Sequence, residues 1–80
     1  MKARVFVTLK SGVLDPQGKT IAHTLNSLGF SEARDVRVGK FFDITLADGD
    51  KAKTETRLKE MSDKLLANPV IEDFRVEKLG

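Results

Sequence analysis

The sequence predicts an α+β domain, a two-layer sandwich with two helices on one face of a mainly antiparallel sheet. Three observations predict it. Residues 2–10 alternate strictly, with Ala3, Val5, Val7 and Leu9 facing one way and Arg4, Phe6 and Thr8 the other, as in a strand with one buried face. Two later stretches, 16–28 and 51–66, carry apolar residues at helical spacing. Two further alternating runs, 36–46 and 70–79, fill the remaining strand positions, giving the order β-α-β-β-α-β.

The first connection, Lys10 to Gly18, holds two glycines, a proline and an aspartate, so its path is closely specified. Asp15 before Pro16 has the form of an N-cap followed by the first helical residue: the carboxylate accepts an orphan amide and proline's φ suits that position. Ile21, Ala22, Leu25 and Leu28 form the stripe of the first helix, and Gly29 stands where a left-handed residue ends it, with Phe30 able to fold back. Leu14 is a weak hydrophobic-staple candidate, because Lys19 holds the expected partner position. His23 points away from the stripe and reads as a solvated surface residue.

In residues 35–46 the apolar positions Val36, Val38, Phe42, Ile44 and Leu46 share one parity, and only Gly39-Lys40 interrupts them. A hairpin looping through Gly39-Lys40-Phe41 would keep Val38 and Phe42 on the core face. The alternative is a single long strand bent at Gly39. Twelve residues would reach about 40 Å, more than so small a core covers, and such a strand would need a second chain. The hairpin is slightly preferred. Asp48 or Asp50 caps the second helix, whose stripe is Thr54, Leu58, Met61 and Leu65; Glu55–Lys59 and Glu60–Lys64 are spaced as ion pairs on its polar side. Asn68-Pro69 stops that helix. The final strand sets Phe74 and Val76 on one face and Ile71, Asp73, Arg75 and Glu77 on the other.

Eighty residues make a single domain, 1–80, with little stability to spare, since such a chain buries only about 60% of its unfolded surface. Cysteine is absent and histidine occurs once, which excludes disulfides, thiol catalysis and histidine- or thiolate-built metal sites. Self-association or docking into a larger body is the support that remains. With 14 basic and 12 acidic residues, the net charge of +2 carries no basic surplus for nucleic acid. No apolar run spans a bilayer and no signal pattern follows Met1, so no membrane and a cytoplasmic location are expected.

Reactive chemistry is missing. No GxxxxGK[ST] or GxGxxG occurs, and Gly12 to Gly18 lacks the spacing of a phosphate cradle. No Ser-His-Asp set or HExxH is present, and each aspartate reads as a cap, turn or surface residue. No catalytic, cofactor or metal residue is assigned. The open sheet face is the oddity: Arg4, Phe6, Thr8, Arg37, Asp43, Thr45, Ile71 and Arg75, with Phe41 nearby, combine apolar and arginine side chains where no helix covers them. Phe6 and Phe41 are the candidates for self-association. Single-stranded RNA stacking on the aromatics is the alternative, and the small net charge weighs against it.

Three stretches carry a family resemblance: Gly12-Val13-Leu14-Asp15-Pro16-Gln17-Gly18, then Val36-Arg37-Val38-Gly39-Lys40, then Lys64 to Phe74 (KLLANPVIEDF). Together they resemble PurS, the small subunit of phosphoribosylformylglycinamidine synthase in de novo purine biosynthesis. The resemblance implies a non-catalytic subunit, a homodimer or homotetramer that bridges a glutaminase subunit and a large ATP-dependent synthetase subunit. It would assist ammonia transfer as formylglycinamide ribonucleotide becomes the amidine. ATP, magnesium and glutamine would be used by those partner subunits and not by this chain. It implies partner-binding roles for Gly12, Asp15, Pro16, Gln17, Gly18, Arg37, Gly39 and Lys40.

Overall fold

Alternation in the first strand sets the centre of the molecule. The computed structural model describes residues 1–47 and 49–79. Strand β1 (Lys2–Leu9) lies between β2 (Gly39–Thr45) and β3 (Glu72–Lys78), antiparallel to both, in the order β2-β1-β3. Ala3, Val5 and Val7 are buried on one face, where Phe42, Ile44, Phe74 and Val76 flank them. Helix α1 (Pro16–Ser27) joins β1 to β2, and helix α2 (Lys51–Met61) leads to β3.

The α+β class holds, and the hairpin does not form. Gly39-Lys40-Phe41 is not a loop but the start of β2, which runs antiparallel to β1 from Thr8↔Gly39 to Lys2↔Thr45. Val38 precedes the strand. Its amide is bound by the Asp15 carboxylate, so it is not free to pair across a turn with Phe42. The strand is single, as the other reading had it, but shorter.

Helix α1 ends as its sequence predicts. Gly29 has φ +99°, the Gly29 amide donates to the Asn26 carbonyl (3.1 Å) and the Phe30 amide to Leu25 (2.9 Å). That is a complete Schellman closure. Its apolar stripe is only half used: Ala22 and Leu25 are half-buried, whereas Ile21 and Leu28 are exposed, Leu28 by 68%. Leu14 is also exposed and staples nothing.

Asp50 caps α2, accepting from the Ala52 amide at 2.8 Å; Asp48 lies outside the described residues. The regular helix stops at Met61 and continues as a π turn over Ser62–Leu66, in which the Ala67 amide donates to the Ser62 carbonyl at 2.8 Å. The wider turn shifts the phase of the buried stripe. Leu58 and Ser62 are fully buried and Ala67 nearly so, while Leu65, expected in the core, is 83% exposed. Ser62 tolerates burial because its hydroxyl donates to the Leu58 carbonyl (2.8 Å). The charged face also differs from its spacing: Glu55 pairs with Lys78 of β3, and Arg57 lies 4.0 Å from Glu60.

Asn68 then organises the descent into β3. Its side chain accepts from the Val70 amide (3.0 Å) and its carbonyl from Glu72 (2.7 Å). The strand begins at Glu72, and Ile71 stands just before it, its carbonyl accepting from the Lys10 amide at 2.8 Å.

Candidate functional site

The resemblance-derived residues gather at one end of the sheet, where β1 leaves and β2 enters. Asp15 is the hub. One carboxylate oxygen accepts from the Gly18 amide (2.9 Å), the capping bond the sequence predicts. The other accepts from the Val38 amide (2.8 Å), a partner 23 positions away that no local pattern announces. Asp15 is only 5% exposed. The Val38 and Gly18 amides hold its carboxyl below the usual carboxylate range, burial opposes them, and the Arg37 charge adds to the lowering.

Arg37 closes the knot from outside. Its guanidinium donates to the Val13 carbonyl (2.9 Å) and the Lys10 carbonyl (3.1 Å) of the connection. The Val13 amide also donates to Lys10 (2.9 Å), tightening the turn. Arg37 is therefore committed to the loop and does not stand on the open sheet face. Gly18 explains itself at the same point: a Cβ there would lie 2.1 Å from the Val36 carbonyl oxygen and 2.9 Å from an Asp15 carboxylate oxygen. A Cβ on Gly39 would lie 2.8 Å from the Val7 carbonyl oxygen. These glycines permit close backbone approach.

The remaining members sit around the knot. Gly12, Pro16 and Gln17 are exposed. Gln17, Val38, Gly39 and Lys40 share with Val7, Leu9 and Glu72 a shallow cleft of about 250 Å³. Lys40 places its ammonium 5.6 Å from the centre of the Phe42 ring. Asp15, Gly18, Arg37 and Gly39 are thus brought together by structure-building contacts, and Gly12, Gln17 and Lys40 supply the accessible part.

The open sheet face is a second patch, built by register. Phe6 of β1 lies opposite Phe41 of β2 and Arg75 of β3. The two rings are 6.1 Å apart, Arg75 stacks 4.4 Å over Phe6 and Arg4 4.7 Å over Phe41. Arg4 also grips Asp43 through two bonds of 2.7 and 3.3 Å, and Arg75 approaches Glu77 at 3.5 Å. The Arg4 hydrogen bond draws the Asp43 carboxyl below its ordinary range. Phe6 is half-buried in this row; Phe41, at its end, is 55% exposed.

Fold and surface together define a class: a small antiparallel α+β domain whose distinctive features are a backbone knot and an aromatic–arginine sheet face. The chain belongs to the PurS family, whose model, described as phosphoribosylformylglycinamidine (FGAM) synthase, matches residues 2–80. It is 47% identical over 76 residues to the phosphoribosylformylglycinamidine synthase subunit PurS of Bacillus subtilis, covering 95% of this chain and 89% of that protein. It is 45% identical over 80 residues to the same subunit of Methanocaldococcus jannaschii, covering 98% and 96%. The crystal structure of B. subtilis PurS superposes with a TM-score of 0.86 at 47% identity, over 95% of this chain and 94% of that one. A chain of the PurLQS structure from Thermotoga maritima superposes with a TM-score of 0.89 at 31% identity, over 98% and 95%.

Proposed function

We propose that this chain is the small, non-catalytic subunit of phosphoribosylformylglycinamidine synthase, bridging a glutaminase subunit and an ATP-dependent synthetase subunit. The observation that carries the reading is the family match over residues 2–80 in a chain with no cysteine. A glutaminase of this kind needs a thiolate nucleophile and the synthetase needs a phosphate-binding site, so both reactions belong to partners. ATP, magnesium and glutamine are used there. The name PurLQS, borne by the T. maritima structure, supports an assembly of three kinds of subunit. This chain holds the other two in place so that ammonia released by one reaches the other, and it works in the cytoplasm as a homodimer or homotetramer.

The knot suits that role. Asp15, Gly18 and Arg37 make a rigid end to the sheet, and Gly12, Gln17 and Lys40 on it are offered to a partner subunit. A preorganised surface loses little entropy on docking. The RNA alternative gains nothing from the sheet face, because Arg4 and Arg75 already occupy the Phe41 and Phe6 rings and face Asp43 and Glu77.

Reconstitution tests the proposal. Glutaminase and synthetase subunits from the same cell are mixed with and without this chain, and amidine formation is followed with glutamine or with ammonium as nitrogen source. Omitting the chain is expected to abolish glutamine-dependent synthesis and to spare ammonium-dependent synthesis. Undiminished glutamine-dependent synthesis without the chain, or glutaminase or ATPase turnover by the chain alone, overturns the reading.

A further inference from the structure

A bridging subunit needs two separate contact surfaces, and the knot supplies one. It lies at the end of the strands where Thr8 pairs with Gly39. The other end, where Lys2 pairs with Thr45, is about 20 Å away along the sheet. There β2 passes through Leu46 and Ala47 toward α2.

The first turns of α2 are cationic. Lys51, Lys53 and Arg57 are exposed, and the one acid among them, Glu55, turns to Lys78 of β3. Asp50, just before the helix, is engaged by the Ala52 amide. Lys53 has no ion pair with a described residue, and Arg57 stands 4.0 Å from Glu60 with its side chain 72% exposed. Lys53 and Arg57 are one helical turn apart and form a ridge with a furrow on either side. Ala52 and Thr56 line one furrow, of about 480 Å³; Leu46, Ala47, Thr54 and Met61 line the other, of about 300 Å³. Both cations border both furrows. Leu46 and Met61 are half-buried, and the unbranched thioether of Met61 adapts to what lies against it.

We propose that this ridge and its furrows dock an acidic segment of the partner subunit that the knot does not hold, carboxylates meeting Lys53 and Arg57 and an apolar side chain entering between Leu46 and Met61. The inference rests on the bridging in the proposed function and gives it a second surface. Two shallow furrows lying along a helix do not enclose a small molecule, whose sites bury most of its surface. They do fit a segment of another protein laid over the ridge. Cations above an apolar floor favour carboxylates at the rim and exclude a basic segment, so charge sets the choice of partner and the rate of encounter. The position at the far end of the sheet leaves the knot free for the other subunit.

Association of the full chain is measured separately with the glutaminase and the synthetase subunit of the same cell, with ATP, magnesium and glutamine present. The double reversal Lys53→Glu/Arg57→Glu is expected to weaken binding of one subunit at least about tenfold and to leave the other within about twofold. Lys59→Glu/Lys64→Glu makes the same change of net charge on exposed positions away from the ridge, and wild-type binding of both subunits is expected. Acetylation reads the wild-type chain directly: Lys53 is expected to react several-fold more slowly in the complex than alone, and Lys59 at an unchanged rate. Unchanged binding by Lys53→Glu/Arg57→Glu, equal loss of both subunits, equal loss from Lys59→Glu/Lys64→Glu, or a Lys53 as reactive in the complex as alone overturns this surface. Wild-type binding of both subunits then leaves the bridging standing. A wild-type chain that binds only one subunit, or neither, overturns the bridging as well.

Discussion

Asp15 does two jobs with two oxygens. It caps α1 through Gly18 and holds the entry to β2 through Val38. Asparagine cannot do both, because its amide nitrogen would face one of those N–H groups donor to donor. Asp15→Asn is therefore expected to lower the midpoint of thermal unfolding by roughly 5 °C at pH 7. The pH dependence has a definite sign. The folded-state carboxyl titrates below its unfolded value, so its contribution is complete above the unfolded value near pH 4 and fades as pH falls through the folded one. Asp43 and Glu55 are lowered as well, by Arg4 and Lys78, so both proteins lose stability in acid. The gap between wild type and Asp15→Asn should narrow below about pH 4; a gap that widens there contradicts the assignment. The capping half of this role is legible in Asp15-Pro16, but nothing near Asp15 in the sequence indicates Val38.

At the scale of the element, α2 shows how one local change redirects a helix face. Thr54, Leu58, Met61 and Leu65 make a regular stripe in sequence, and the π turn at Ser62–Leu66 breaks its phase. Ser62, polar and unremarkable in the pattern, turns inward with Leu66 and Ala67, while Leu65 turns to solvent. Leu65→Ala should alter stability by less than about 0.5 kcal/mol, and Leu58→Ala should cost about 2–5 kcal/mol. Equal losses in denaturant titrations would show that the unbroken stripe is the true core. Periodicity could not reveal the break, since it assumes a constant 3.6 residues per turn.

The whole molecule is unusually extended for its size. Its Cα radius of gyration is 16.1 Å, against roughly 12 Å for a compact chain of 80 residues, and its extents are 50 × 26 × 14 Å. Only Ala3, Val5, Val7, Leu58 and Ala67 among the described residues form the fully buried apolar core. Leu28, Phe30 and Phe41 remain substantially exposed. A core this small gains from association, and association obeys mass action. The thermal midpoint should therefore rise by several degrees between about 1 and 100 µM chain. A midpoint independent of concentration, followed by circular dichroism, would contradict an assembled native state.

The sequence by itself determined the elements and their order outside residues 36–46, the cap at Asp15, the Schellman end at Gly29, the turn at Asn68-Pro69 and the family. These depend on periodicity and on single residues whose chemistry acts within a few positions. The tertiary structure alone decided that residues 36–46 contain one strand and no hairpin, because β1 supplies a partner for the whole of Gly39–Thr45. It also decided that Arg37 clamps the first loop, that Gly18 must lack a side chain beside Val36, and that Phe6 and Phe41 stack beneath two arginines. Each of those contacts joins residues at least 18 positions apart or depends on strand register, and sequence spacing carries no information about either.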